Sequence, residues 1–183
     1  LIAGAGVTGT AAARALTKRG AEVTLVDEKE IHNSEFSLLK PEDIAMKEFD
    51  TLLVSPGWRE DHPLVLAARE NDLDIINEID LAWSLKPVGQ KWIALTGTNG
   101  KTTTVELTAA MLRSGGISAI ACGNVGTTVI EIIESTEKYE KVLEMLKDGV
   151  SGREINRRTK ISRVFIRNIK RGYVPDAKSH LLK

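Results

Sequence analysis

The sequence is short of several things, and each shortage excludes a class of protein. It has one cysteine, Cys122, in 183 residues. No internal disulfide framework can be built from it, and such usage fits a reducing compartment. No apolar run reaches the roughly 18–20 residues that a membrane-spanning helix needs. No secretory signal is expected. The expectation is a cytoplasmic chain with no membrane partner. No cluster of cysteine and histidine marks a metal centre. Cys122 reads as a small core residue, and His32 and His62 as surface or turn residues. A starting methionine is absent too: Leu1 falls inside the apolar run LIAGAG, as though a strand were entered partway. A fragment or a processed chain is expected at that end.

Net charge is also missing, at +0, but the balance is uneven along the chain. Residues 1–136 hold 12 Lys and Arg against 19 Asp and Glu, a net of −7, and residues 137–183 hold 13 against 6, a net of +7. Such a split points to parts with different partners.

What is present is an alternation of strand and helix. Leu1–Ala3 reads as a strand end, followed by the turn Gly4-Ala5-Gly6-Val7-Thr8-Gly9 and an alanine-rich helix to about Arg19. Glu22–Val26 and Asp50–Val54 read as strands, and Pro63 to about Asn71 as a helix. Asp74–Ile76 reads as a short strand and Asp80–Leu85 as a helical turn. This is the pattern of a doubly wound parallel sheet, an α/β Rossmann-like domain over residues 1–86. After the linker Lys86-Pro87-Val88-Gly89, a second α/β unit is expected over residues 87–136. It would have buried strands at Trp92–Leu95 and Ile117–Ala121 around a helix from Thr102 to Ser114.

The motifs sit at the turns. GAGVTG fits G-x-G-x-x-G between a strand and a helix, with Asp27 18 residues past Gly9. Its glycines allow a tight turn and the approach of a phosphate to a helix N-terminus. Taken alone it admits a nicotinamide dinucleotide bound through Asp27, or glycines that only permit helix–strand packing. Ser55-Pro56-Gly57-Trp58 closes a strand at the carboxyl edge, where ligands bind in such sheets. TGTNGKTTT, Thr96 to Thr104, is a phosphate loop shorter than the usual spacing, with Leu95 where the first glycine should stand. Backbone N–H groups of Gly97, Thr98, Asn99, Gly100 and Lys101 can line a phosphate. Lys101 can reach its outer oxygens, Thr102 can hold Mg2+, and Thr103 continues the loop.

Together these motifs resemble the Mur ligase family, whose ATP loop has this shortened form, over about residues 1–134. Gly123-Asn124-Val125-Gly126 falls in the same order. The resemblance implies an ATP- and Mg2+-dependent acid–amino-acid ligase of peptidoglycan synthesis, hence of cell-wall biogenesis, cell shape and cell division. Within the family the resemblance is to the branch that joins D-glutamate to UDP-N-acetylmuramoyl-L-alanine. It implies Val7 and Thr8 beside the diphosphate or uracil, Asp27 meeting the uracil, and Ser55, Pro56 and Gly57 behind it. Asn124 would contact the substrate near its diphosphate, and Lys101 and Thr102 would take the ATP phosphates and Mg2+. The family pattern stops after about Glu134. A truncated or fused form without the full catalytic apparatus, and without turnover by itself, is therefore expected.

Residues 137–183 have a different texture. Tyr139, Val142, Leu143 and Leu146 lie on one face of a helix over 137–147. Ser151 with Glu154 gives a capping pattern for a second helix to about Thr159, and Ser162 caps a third to about Arg171. The arrangement resembles the helix-turn-helix of resolvase- and transposase-type proteins, with Ile155, Ile161, Val164, Ile166 and Ile169 as its core. Residues 151–172 carry eight cations against Glu154 alone, so DNA is a candidate partner, with Arg163, Arg167, Lys170 and Arg171 as candidate contacts. The alternative is a solvated basic helical hairpin.

Overall fold

The structure, a computed structural model, describes residues 1–29, 35–123 and 127–171. Five parallel strands form one sheet: β1 (Ile2–Ala3), β2 (Thr24–Val26), β3 (Ser37–Leu39), β4 (Thr51–Val54) and β5 (Asp74–Asn77). Their order is β3-β2-β1-β4-β5. In register, Ile2 of the central strand lies opposite Leu25 on one side and Leu53 on the other. Strands covered on both faces read as continuous apolar runs. Accordingly Ile2, Ala3, Leu25, Val26, Leu52 and Leu53 are all at most 1% exposed.

Three helices belong with the sheet: α1 (Val7–Thr17), α2 (Pro63–Glu70) and α3 (Glu78–Leu85). The alanines of α1, Ala11, Ala12, Ala13 and Ala15, are its buried face; side chains this small let a helix lie close to a sheet. Leu64, Val65 and Ala68 of α2 join Leu1, Val26, Leu52 and Leu73 in one core cluster, where burying each Leu or Val contributes about 1.5–3 kcal/mol. The α/β alternation over this part is as expected from the sequence. Strand β3 is the addition: it is short, only its middle residue is half-buried, and so its sequence has little apolar signal.

The chain divides into two compact units, residues 1–86 with 128–130, and residues 87–127 with 131–183. The second contains α4 (Lys101–Ser114), most of α5 (Val129–Lys147), α6 (Gly152–Thr159) and α7 (Arg163–Lys170). The strands expected at Trp92–Leu95 and Ile117–Ala121 do not form. Ile93 is 63% exposed, Leu95 39% and Ile117 57%. A strand needs a neighbour for its N–H and C=O groups, and all five described strands lie in the sheet of the first unit. For the same reason α4 buries only Ala109.

Residues 137–147 are helical as expected, but as the second half of the longer α5. Val142, Ile155, Ile166 and Ile169 form a small core, with Tyr139, Leu143, Leu146, Ile161 and Phe165 around it. The hydroxyls of Ser151 and Ser162 accept from the N–H groups of Glu154 and Phe165, capping α6 and α7. Lys160, at φ 60°, ends α6 in the left-handed region, and the Asn156 side chain donates to the Ile161 carbonyl at 2.7 Å to hold the turn. One expected core residue is misplaced: Val164 is 52% exposed, because it lies on the face of α7 away from Ile166 and Ile169. Among the described residues no helix is long and apolar enough to cross a membrane.

Candidate functional site

The strand order creates a crevice. From β1 the chain winds to β2 and β3 on one side and then crosses to β4 and β5 on the other. Loops leaving the carboxyl ends of β1 and β4 therefore part company, and ligands bind at such switch points. Here the turn Gly4–Gly9 faces the turn Ser55–Trp58. Gly4 has φ +102°, and a Cβ there would lie 2.8 Å from Ser55 Oγ and 3.3 Å from Trp58 Nε1. A Cβ on Gly9 would lie 1.8 Å from the Gly4 carbonyl oxygen, so α1 can start this close to β1 only with glycine. Gly6 is different. It has no neighbour within 4 Å of an added Cβ and is exposed, leaving room for a ligand.

Asp27, at the end of β2, holds this loop in place. Its Oδ2 accepts from Ala5 N–H at 2.8 Å and its Oδ1 from Lys29 N–H at 3.0 Å. Val7 is 71% exposed and Thr8 partly exposed beside it. Across the crevice Ser55 N–H donates to the Ala3 carbonyl at 3.0 Å, and Trp58 N–H to the Ser55 carbonyl at 3.0 Å. Pro56 and Gly57 are exposed at the turn. The Ser55 Oγ is buried and has no hydrogen-bond partner among the described residues. A buried hydroxyl left unpaired costs about 1–3 kcal/mol.

Two residues with structural contacts near the sheet carry no sequence motif. His62 stands at a turn, its backbone N–H donating to the Arg59 carbonyl at 3.1 Å, and it also caps α2: its Nδ1 accepts from Leu64 N–H at 3.1 Å. The ring proton of the neutral form therefore sits on Nε2, which faces Glu28 Oε1 at 3.1 Å, and the ring meets Trp58 edge-on at 4.4 Å. Glu28, Lys40, Met46, His62 and Leu64 are among the residues lining a cavity of about 540 Å³. Glu78 is 8% exposed, and its Oε1 accepts from Ile130 N–H at 3.0 Å. The signal for His62 was the following Pro63, since proline suits the first position of a helix and directs attention to the residue before it. Glu78 gave no such signal.

In the second unit, the phosphate loop runs into α4 through Gly100, at φ +75°. Lys101 Nζ donates to the carbonyl oxygens of Gly97 and Thr98. Thr104 Oγ1 bonds back to Gly100 at 2.9 Å. Gly97, Thr98, Asn99, Thr102 and Thr103 are exposed, and the hydroxyls of Thr102 and Thr103 are unpaired among the described residues. Asn124 lies outside the described residues.

The described starts of the α-helices separate into two sets. His62, Asn77, Ser151 and Ser162 cap α2, α3, α6 and α7 with side chains. Helices α1 and α4 begin after Gly6 and Gly100, with no side-chain cap and no acid in the first turn. Their first N–H groups and positive dipole ends are open to an anion. These are the two helices that the glycine motifs precede.

On the helical tail Arg163, Arg167, Lys170 and Arg171 are all exposed. Arg157 meets both Glu154 carboxylate oxygens at 2.8 and 2.7 Å, and Arg158 meets one at 2.6 Å. Hydrogen bonds from Arg157 and then Arg158 lower the Glu154 pKa to about 2.

The chain is similar to curated proteins named UDP-N-acetylmuramoylalanine–D-glutamate ligase. With that of Thermobifida fusca (strain YX) it is 45% identical over 141 residues, 71% of this chain and 30% of the relative. With that of Corynebacterium efficiens it is 33% identical over 159 residues, 80% of this chain and 34% of the relative. With that of Gloeothece citriformis it is 37% identical over 155 residues, 78% and 34%. The chain is thus a homologue of these ligases over most of its own length, and it spans about a third of theirs. No family model matches it.

Proposed function

We propose that this chain supplies the nucleotide-substrate crevice and the ATP loop of a ligase that joins D-glutamate to UDP-N-acetylmuramoyl-L-alanine in peptidoglycan synthesis. The observation that carries the reading is the pairing of motif with open helix end. Only α1 and α4, among the α-helices whose starts are described, lack a side-chain cap, and each follows a glycine turn. In the crevice the α1 N–H groups beside Val7 and Thr8 would take the diphosphate. Asp27 holds the loop and meets the uracil, and Ser55, Pro56 and Gly57 back it. Asn124 would contact the substrate near the diphosphate.

At the loop, backbone N–H groups from Gly97 to Lys101 would line the ATP phosphates, with Thr103 beside them. Lys101 Nζ would exchange its own carbonyl oxygens for phosphate oxygens. The Thr102 hydroxyl, unpaired and exposed, suits one position on Mg2+, which would neutralise phosphate charge as a phosphoryl group moves. In the ligase reaction the substrate carboxylate takes the terminal phosphoryl group of ATP, releasing ADP. The amine of D-glutamate then attacks the acyl phosphate and expels phosphate, with loss of a proton, to leave an amide. Catalysis by the loop is electrostatic: its cation and N–H groups face charge on both partners.

The named relatives favour this substrate over a nicotinamide dinucleotide. Calorimetric titration with UDP-N-acetylmuramoyl-L-alanine and with NADH separates the two. Saturable binding of the first with none of the second is expected, and the reverse would overturn the reading.

For α6 and α7 we infer a second function, nucleic-acid binding, in the manner of a helix-turn-helix unit. It is favoured by six exposed cations with no acidic partner among the described residues. Binding of the whole chain to random duplex should fall steeply with salt, with a log–log slope near about −5. No binding at micromolar protein would leave the basic helices a solvated surface.

A further inference from the structure

The eight cations of residues 151–172 are not equivalent. Arg157 and Arg158 are turned onto Glu154, which sits on the same helix three and four residues earlier. Arg153, Lys160, Arg163, Arg167, Lys170 and Arg171 have no acidic partner among the described residues. An open groove of about 510 Å³ at α6 and the start of α7 is lined by Arg153, Glu154, Arg157, Lys160 and Arg163, among others. On α7 the exposed residues Arg163, Val164, Arg167, Lys170 and Arg171 lie at spacings that gather them on one face. Ile166 and Ile169 turn the other way, into the core. The exposed face is therefore a row of cations around one small apolar side chain.

We propose that this face and groove bind duplex DNA, and that Glu154 fixes which cations take part by occupying the guanidinium groups of Arg157 and Arg158, so that they do not pair with phosphate. This rests on the nucleic-acid reading above. Duplex is the form that fits. A helix enters the major groove, and an exposed valine between arginines matches a thymine methyl beside guanine acceptors. Single-strand binders stack bases on aromatic rings, and the exposed face of α7 has none; Phe165 packs against the core instead. The clamp is geometrically strong, with three short charge-assisted bonds on one carboxylate. Its effect on charge is large, since Glu154 removes two arginines and adds a negative charge beside the groove. Such an arrangement lowers non-specific affinity and leaves more of the binding to the residues of α7.

The test uses the full chain and a random duplex of about 20 base pairs, with affinity measured by fluorescence anisotropy from about 50 to 200 mM salt. Six participating cations give a slope of about −5. Glu154→Gln should steepen it to about −7 and tighten binding at low salt, because two arginines are released. The substitution keeps the backbone N–H that bonds Ser151, and circular dichroism checks the helices. As a second comparison, Arg153→Gln should make the slope shallower by about 1, whereas Arg157→Gln should leave it unchanged. Equal effects of Arg153→Gln and Arg157→Gln would overturn the clamp while leaving nucleic-acid binding in place. A preference for single strands over duplex would overturn the duplex assignment. No binding by the unaltered chain would remove the underlying reading, and the clamp with it.

Discussion

The Oδ2 atom of Asp27 accepts a 2.8 Å hydrogen bond from the backbone N–H of Ala5, 22 residues earlier. This bond ties the end of β2 to the glycine turn after β1, so the acid expected to meet a ligand also shapes the loop around it. Asp27→Ala removes both the bond to Ala5 and the bond to Lys29. The expected loss is about 1–3 kcal/mol of stability, read from urea unfolding, together with weaker binding of UDP-N-acetylmuramoyl-L-alanine. Unchanged unfolding would show that the loop holds its shape without the carboxylate.

Two glycines of the turn should separate by experiment. Gly9→Ala puts a methyl group 1.8 Å from the Gly4 carbonyl, against backbone that cannot swing aside. Overpacking of this kind costs about 1–3 kcal/mol or more, and the midpoint of thermal unfolding should drop accordingly. Gly6→Ala meets nothing within 4 Å and at φ −73° is not strained. It should unfold like the parent yet bind the UDP substrate more weakly, because its methyl group occupies ligand space. If Gly6→Ala were as unstable as Gly9→Ala, the open space at Gly6 would be wrong.

What the sequence made legible was local. The spacing of Gly4, Gly6 and Gly9 encodes a turn whose requirements lie within a few residues, and the Ser151 and Ser162 caps are equally local. Strand formation is not. WIAL has the composition of a buried strand, yet Ile93 and Leu95 stay exposed because pairing depends on a neighbour that no local pattern announces. The unpaired Ser55 hydroxyl, the His62 cap facing Glu28, and the Glu78 bond to Ile130 N–H join residues distant in sequence or depend on precise burial. Val164 has the side chain of a core residue, and only the position of its helix face puts it outside the core.

Lys101 is folded onto the carbonyl oxygens of Gly97 and Thr98, so its ammonium group already sits at the mouth of the loop. Lys101→Ala should leave the fold intact, since the side chain is exposed. It should weaken binding of a fluorescent ATP analogue by about tenfold or more, the loss of one charge-assisted contact. Thr102→Ala should retain binding without metal and lose the gain from added Mg2+. Undiminished binding by Lys101→Ala would remove the loop from the proposed function.

The carboxyl of Glu154 should titrate far from its ordinary position. Arg157 first, and then Arg158, lower its pKa from 4.5 to about 2. The folded value lies below the unfolded one. The pair's contribution to stability is therefore fully present above about pH 4.5 and is lost as pH falls toward about 2. A carboxyl-carbon titration of the whole chain by NMR should place the midpoint near 2. In Arg157→Gln the largest of the two causes is gone, and the midpoint should move upward. A midpoint in the ordinary glutamate range would mean that the arginines do not hold it.

Arg163 and Arg171 stand at opposite ends of α7 and should behave differently on DNA. Arg163 opens the helix and lines the groove with Arg153 and Lys160, the position from which a helix N-terminus reaches base edges. Arg171 follows the last turn, where its backbone N–H caps the helix on Arg167, Asn168 and Ile169 and its side chain is exposed. Selection from a randomised duplex library would supply a preferred sequence. On it, Arg163→Ala should lose about tenfold in affinity, within the range for one specific base contact, while affinity for random duplex falls less. Arg171→Ala should weaken both alike and make the salt slope shallower by about 1. A loss of preference by Arg171→Ala rather than Arg163→Ala would put the reading end of α7 at its C-terminus, and equal losses from both would reduce the whole face to phosphate contacts.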